Sequence, residues 1–132
     1  MQIKEKVSDY PRPPMIELVN GQVSVGISDE IIVQDTRYIR VCETFHPPTI
    51  YMHQGAFRND TLQQTSGRAS YCEWKGVAEY WSLSKADGTD LRPRAGWSYP
   101  KPTVYFAILA DWIGLYPRSV DECCLELSLI HI

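Results

Sequence analysis

Only one stretch of this chain spaces its apolar residues as a helix requires. In Thr103–Trp112, the residues Tyr105, Phe106, Leu109 and Trp112, continued by Ile113, fall on an i, i+3/i+4 face. Pro100 and Pro102 open that stretch, and Gly114 and Pro117 hold it to about two or three turns. Everything else alternates or clusters β-branched and aromatic residues between turn signals. The expected fold is therefore mainly β: one small folded antiparallel sheet with a single short helix near the C-terminus.

The strand signals follow one another along the chain. Met15 to Val19 meets Asn20-Gly21, the strongest two-residue hairpin signal, and Gln22-Val23-Ser24-Val25 alternates after it. Ser28-Asp29-Glu30 turns the chain into Ile31-Ile32-Val33, and Tyr38 to Cys42 alternates again. His46-Pro47-Pro48 interrupts, Thr49 to Met52 resumes, Asn59-Asp60-Thr61 is a turn, and the polar run Gln63 to Arg68 reads as loop. Tyr71 to Trp74 and Val77 to Leu83 are strand-like halves around Lys75-Gly76, where a glycine fits a bulge or a close backbone approach. Asp87-Gly88 predicts a hairpin turn leading into Thr89-Asp90-Leu91.

At 132 residues the chain is long enough for one domain with a real core, and 44% hydrophobic with 22% charged residues excludes a disordered polar chain. The expected division is a flexible lead-in over 1–14, rich in charge and proline, then a β domain over 15–124. The longest apolar run, Val104 to Ala110, is far too short to span a bilayer. A net charge of −3 gives no general attraction to nucleic acid or anionic lipid, and Arg92, Arg94 and Lys101 form the sole local basic patch. No nucleic-acid or membrane partner is expected, and the oligomeric state is left open. The opening residues lack the basic-then-apolar pattern of a signal peptide, so the expected compartment is cytoplasmic. Cys42, Cys72, Cys123 and Cys124 contain no Cys-x-x-Cys pair, which predicts reduced thiols and neither zinc nor another cofactor.

Familiar catalytic signatures fail one by one. Lys75-Gly76 reverses the order a phosphate loop needs. Gly96-Trp97-Ser98-Tyr99 begins like a nucleophile elbow, but Pro100 stands where the second glycine belongs. No two carboxylates stand two apart on a strand, the spacing that often serves two-metal phosphoryl transfer. Three polar–aromatic clusters remain. Glu43 to Pro48 puts a carboxylate and the imidazole of His46 in one proline-stiffened corner, a pairing suited to proton transfer near neutral pH or to a simple strand cap. Cys72 to Gly76 sets a lysine near a thiol; it could favour the thiolate or hold an anion, or be a solvated lysine beside an inert cysteine. In Gly96 to Pro102, Trp97 and Tyr99 form an aromatic wall that can stack a planar ligand or close the core.

Val41-Cys42-Glu43-Thr44-Phe45-His46-Pro47-Pro48 with Tyr51, Cys72-Glu73-Trp74-Lys75-Gly76-Val77-Ala78 with Tyr80, and Trp97-Ser98-Tyr99-Pro100-Lys101-Pro102-Thr103 resemble, in order and spacing, the domain of unknown function 427 family. Ile113-Gly114-Leu115-Tyr116-Pro117 with Val120-Asp121 is similar to its closing strand. The resemblance covers about residues 15 to 124. It implies a small β-tent-like protein, the architecture of zinc-binding chaperone-like and methionine sulfoxide reductase domains, but without their cysteine pairs. The family also carries a nucleotidyltransferase label. Its recurring polar and aromatic positions fall on Glu43, His46, Tyr51, Cys72, Lys75, Tyr80, Trp97 and Tyr99. Leu125 to Ile132 departs from the family pattern, and its alternating apolar residues would suit pairing with another chain.

The expectation is a small-molecule-binding β domain for an anionic or nucleotide-like ligand. Tyr51, Lys75, Tyr80, Trp97 and Tyr99 would bind it, and Glu43, His46 and Cys72 are the candidates for any catalysis. An enzyme using Cys72 or Glu43 with His46, and a protein-interaction module, are the alternatives.

Overall fold

Val23, Val25 and Ile27 alternate inward along a strand that does not stop at Asn20-Gly21. The architecture was obtained as a computed structural model, which describes residues 5–65, 70–72 and 74–126. β1 (Met15–Ile27) and β2 (Glu30–Cys42) are the two longest strands, and they pair antiparallel from Met15↔Cys42 to Ile27↔Glu30. The turn expected at Ser28-Asp29 forms, with Ser28 at φ 55°, while the hairpin expected at Asn20-Gly21 does not. A turn at residue 20 would have left two short arms. Running on extends the ladder and buries three more valine and isoleucine side chains, and the Asn20-Gly21 segment survives as a bulge between Asn20↔Arg37 and Val23↔Asp35.

β3 (Thr49–His53), β4 (Leu62–Gln64), β5 (Ser70–Cys72), β6 (Gly76–Leu83), β7 (Arg92–Ser98), β8 (Trp112–Leu115) and β9 (Glu122–Leu125) complete one antiparallel sheet. Its order is β4-β6-β7-β8-β3-β2-β1-β9, with β5 paired to the start of β6. The run from Gln63 thus begins with a short strand rather than loop, because Leu62 to Gln64 find partners in Leu83 to Trp81. Residues 66–69 and 127–132 lie outside the described part. Leu125 pairs within the chain, opposite Val23.

The Lys75-Gly76 interruption is a tight hairpin, not an in-line bulge: Cys72 faces Gly76 and Tyr71 faces Val77. The close backbone approach is there as well. Gly76 has φ 113°, and a Cβ on it would sit 3.2 Å from the Lys101 carbonyl oxygen.

The helical segment is Val104–Asp111, a 3-10 helix kinked at Phe106 (φ −103°, ψ 19°). Trp112 and Ile113, expected on the helix, belong to β8. Three residues per turn explain the burial: Phe106, Leu109 and Trp112 point into one cluster, while Val104, Tyr105 and Ile108 are exposed. Phe106 and Leu109 are fully buried, worth about 1.5–3 kcal/mol each.

Two apolar clusters pack against the sheet, and neighbouring residues on a strand part between them. Tyr38, Met52 and Ile113 join one, while Ile39, Tyr51 and Trp112 join the other, as period-two alternation requires. The second cluster carries the site. Ahead of β1, Glu5 accepts hydrogen bonds from Arg40 at 2.6 Å and from the Tyr10 hydroxyl at 3.3 Å. The Phe45 amide donates to Val7 at 2.8 Å, and the Thr44 hydroxyl to the Tyr10 carbonyl at 2.6 Å. Among the described residues, no helix is long and apolar enough to cross a membrane.

Candidate functional site

Register across four strands builds the first wall. Tyr80 on β6 faces Trp97 on β7, Trp97 faces Gly114 on β8, and Gly114 faces Tyr51 on β3. Directly opposed residues share a face, so this row stands on one side of the sheet. Gly114 is the reason the row closes. A Cβ there would lie 2.6 Å from Cε2 and Cζ2 of Trp97, so only glycine lets the indole lie across β8. From that position Trp97 Nε1 donates to the Tyr51 hydroxyl at 3.1 Å, with the rings edge-on at 5.8 Å and 77°. Tyr116, just past β8, packs against the same indole at 4.5 Å.

The second wall is the segment between β2 and β3. Glu43, His46, Pro47 and Pro48 border the cavity, and Phe45, at φ 61°, turns its ring out to solvent. His46 Nδ1 lies 2.7 Å from the Pro47 carbonyl oxygen, which can only accept. Nδ1 is therefore the donor in this bond.

The β5–β6 hairpin brings the third element. Its tip is clamped on residues 101–103: the Thr103 amide donates to the Lys75 carbonyl at 3.1 Å, and the Thr103 hydroxyl donates to the Trp74 carbonyl. This aims Lys75 inward, where it is 5% exposed. Its ammonium donates to the Glu43 carboxylate, and the Tyr99 and Phe106 rings stand 6.0 and 5.9 Å away. Burial costs a lone ammonium heavily, and Glu43 with the two ring faces is what offsets that cost.

Burial also raises the phenols. The Tyr51 and Tyr99 hydroxyls are held well above the usual range, first by desolvation and further by nearby acidic groups that include Glu43. Both are neutral donors at physiological pH.

Together these elements enclose a cavity of about 670 Å³. Glu43, His46, Tyr51, Lys75, Tyr80, Trp97 and Tyr99 all line it. Cys72 does not: it sits half-buried opposite Gly76, packed beside the aromatic cluster. Tyr116, Val120 and Cys123 line the cavity though none was a candidate site residue in the sequence, and Gly114 shapes it. The available signal was a glycine inside Ile113-Gly114-Leu115-Tyr116-Pro117, where an interior strand glycine marks a close approach. The expected basic patch is dispersed, because Arg92 pairs with Asp90 and Asp121 while Arg94 lies over Tyr80. Another depression, about 740 Å³, runs along β1, β2 and β9, and among the described residues no aromatic side chain lines it. Among the described residues, no three His, Cys, Asp or Glu side chains gather as a metal site would require.

Fold and cavity define a class: a small antiparallel β domain whose sheet face carries an aromatic-walled hollow lined by a buried lysine and its glutamate partner. The chain belongs to the family described as a domain of unknown function (DUF427), whose model, named NTP_transf_9, matches residues 15–126. No curated protein matches the chain.

Proposed function

We propose that this domain binds a small planar, nucleotide-like ligand in the cavity between Trp97 and the Lys75–Glu43 pair. One observation carries the reading: a buried lysine, paired with the half-buried Glu43, lines the same cavity as Tyr51, Tyr80, Trp97 and Tyr99. The volume of about 670 Å³ falls in the range of small-molecule sites. The pair is neutral as a unit, yet it offers donors and an acceptor side by side. Lys75 has three N–H bonds and Glu43 takes one of them. A heteroaromatic edge with adjacent acceptor and donor atoms can use both groups while its ring packs on the indole and phenols.

The reading asks for binding alone. Nucleotidyl transfer by two metal ions needs several carboxylates, and Glu43 is the one carboxylate lining the cavity among the described residues. Cys72 stands outside the lining and enters no step.

The test is calorimetric titration of adenosine, guanosine, cytidine and their 5′-monophosphates into the wild-type chain, Lys75→Met and Trp97→Leu, each checked for folding by circular dichroism. Saturable binding of at least one compound, weakened about tenfold or more in both variants, is the expected result. Absence of binding to the wild type, or equal binding to Lys75→Met, overturns the proposal.

A further inference from the structure

We propose that Arg94 and Arg118 form an anion subsite at the edge of this cavity, taking a phosphate group carried by the bound ligand. The inference deepens the ligand reading above and depends on it. It starts from a backbone outlier. Two steps along β6, Trp81 to Leu83, span four along β7, Gly96 to Arg92, so β7 bulges by two residues there. Inside that bulge Arg94 adopts φ 49°, a conformation uncommon for any side chain but glycine. Bulges re-aim side chains, and strained residues collect at ligand sites. Here the effect is to lay the guanidinium over Tyr80, its carbon 3.9 Å from the ring centre, and Tyr80 lines the cavity.

A second guanidinium comes from the turn that follows the neighbouring strand. Arg118 lies in the 3-10 turn Pro117–Ser119 after β8, 5.4 Å from the Tyr116 ring, which also lines the cavity. The two arginines thus lie over two rings, Tyr80 and Tyr116, that line the same cavity. Both are exposed, and neither has a carboxylate partner among the described residues, whereas Arg40 and Arg92 are each held by two. A guanidinium stacked on a ring keeps its in-plane N–H donors free, the arrangement that suits a phosphate. Inside the cavity Lys75 is already met by Glu43. Neither arginine lines the cavity itself; each lies on a ring that does, so an anionic group projecting past Tyr80 and Tyr116 from a ring within would meet both.

The experiment compares each nucleoside with its 5′-monophosphate by titration into the wild type and the Arg94→Gln/Arg118→Gln double variant. In the wild type the phosphate tightens binding about tenfold or more, and in the double variant the ratio falls to near one. Should the double variant fail to fold, Arg118→Gln alone is read, with the ratio expected to fall at least threefold. Equal wild-type affinity for nucleoside and monophosphate, or a ratio unchanged in the variant, overturns the subsite and leaves the ligand reading standing. If no compound of either kind binds, the ligand reading falls and the subsite with it.

Discussion

Replacing Gly114 with alanine adds one methyl group 2.6 Å from Cε2 and Cζ2 of Trp97. Ordinary carbon–carbon contact begins about 1 Å further out, so the indole has to retreat by roughly that distance. The Trp97 Nε1–Tyr51 bond, now 3.1 Å, then passes beyond hydrogen-bonding range. Tyr51 has no solvent exposure, and stranding its hydroxyl costs about 1–3 kcal/mol. Forcing the indole into its neighbours costs about 1–3 kcal/mol more. Alanine returns about 0.4–1 kcal/mol by stiffening the unfolded chain. The net loss is about 1–5.6 kcal/mol, with a midpoint of about 3 kcal/mol. At about 4 °C per kcal/mol for a chain of this size, that midpoint lowers the melting temperature by about 12 °C. Gly26→Ala is the control, since its added methyl meets nothing closer than 3.5 Å and the variant should melt near the wild type. The decisive measurement is a double-mutant cycle by urea denaturation. In a Trp97→Leu background the obstructing ring is gone, so Gly114→Ala should cost at least 1.5 kcal/mol less than in the wild type, by the bond and overpacking figures above. Equal costs in the two backgrounds would refute the claim that Gly114 exists to seat the indole.

Three further outcomes follow from the same geometry. Glu43→Gln should destabilise more than Lys75→Met, by about 1–2 kcal/mol in denaturation, because it strands an ammonium whose side chain is 7% exposed, whereas the reverse change strands a carboxylate that is 30% exposed. Arg92 holds Asp90 down to about pH 2 and also lowers Asp121, so their stabilisation is complete above the unfolded carboxylate range near pH 4 and is lost as the pH falls toward 2. Melting curves between pH 2 and 6 should therefore show a wild-type decline in that window that Arg92→Gln reduces, the remainder coming from Asp29 and Asp87, which Lys85 and Thr89 lower. Tyr51 and Tyr99 are raised, so alkaline absorbance titration of the folded protein should leave them protonated when exposed tyrosines ionise near pH 10, and they should titrate on unfolding. Ionisation of all tyrosines near pH 10 with the protein still folded would contradict their burial.

Strand identity was legible where local pattern and tertiary packing agree. Tyr38 to Cys42, Thr49 to Met52 and Val77 to Leu83 alternate in sequence and pair as strands. Asn20-Gly21 was misread because turn propensity is a local preference of modest size, while continuing β1 adds a ladder and a buried face that no short window displays. The helix was misjudged in the same way. Its apolar spacing fits 3.6 residues per turn about as well as 3.0, and prolines on both flanks with β8 starting at Trp112 left the tighter 3-10 winding.

The site was legible in its chemistry and not in its geometry, for a reason that lies in how sheets are built. Lys75, Glu43 and Trp97 stand in three separate segments, and no spacing rule connects them. They meet because β7, β8 and β3 are in register and the β5–β6 hairpin is pinned on Thr103. Residues that only make room, such as Gly114, or that are turned by a bulge, such as Arg94, carry no chemical signature in a one-dimensional reading. Yet these two positions decide whether the indole reaches Tyr51 and whether a guanidinium lies over Tyr80. A polar–aromatic cluster in a β sequence therefore becomes a cavity only through its glycines and its bulges. Substituting Gly114 tests the hollow itself, and substituting the two arginines tests what enters it.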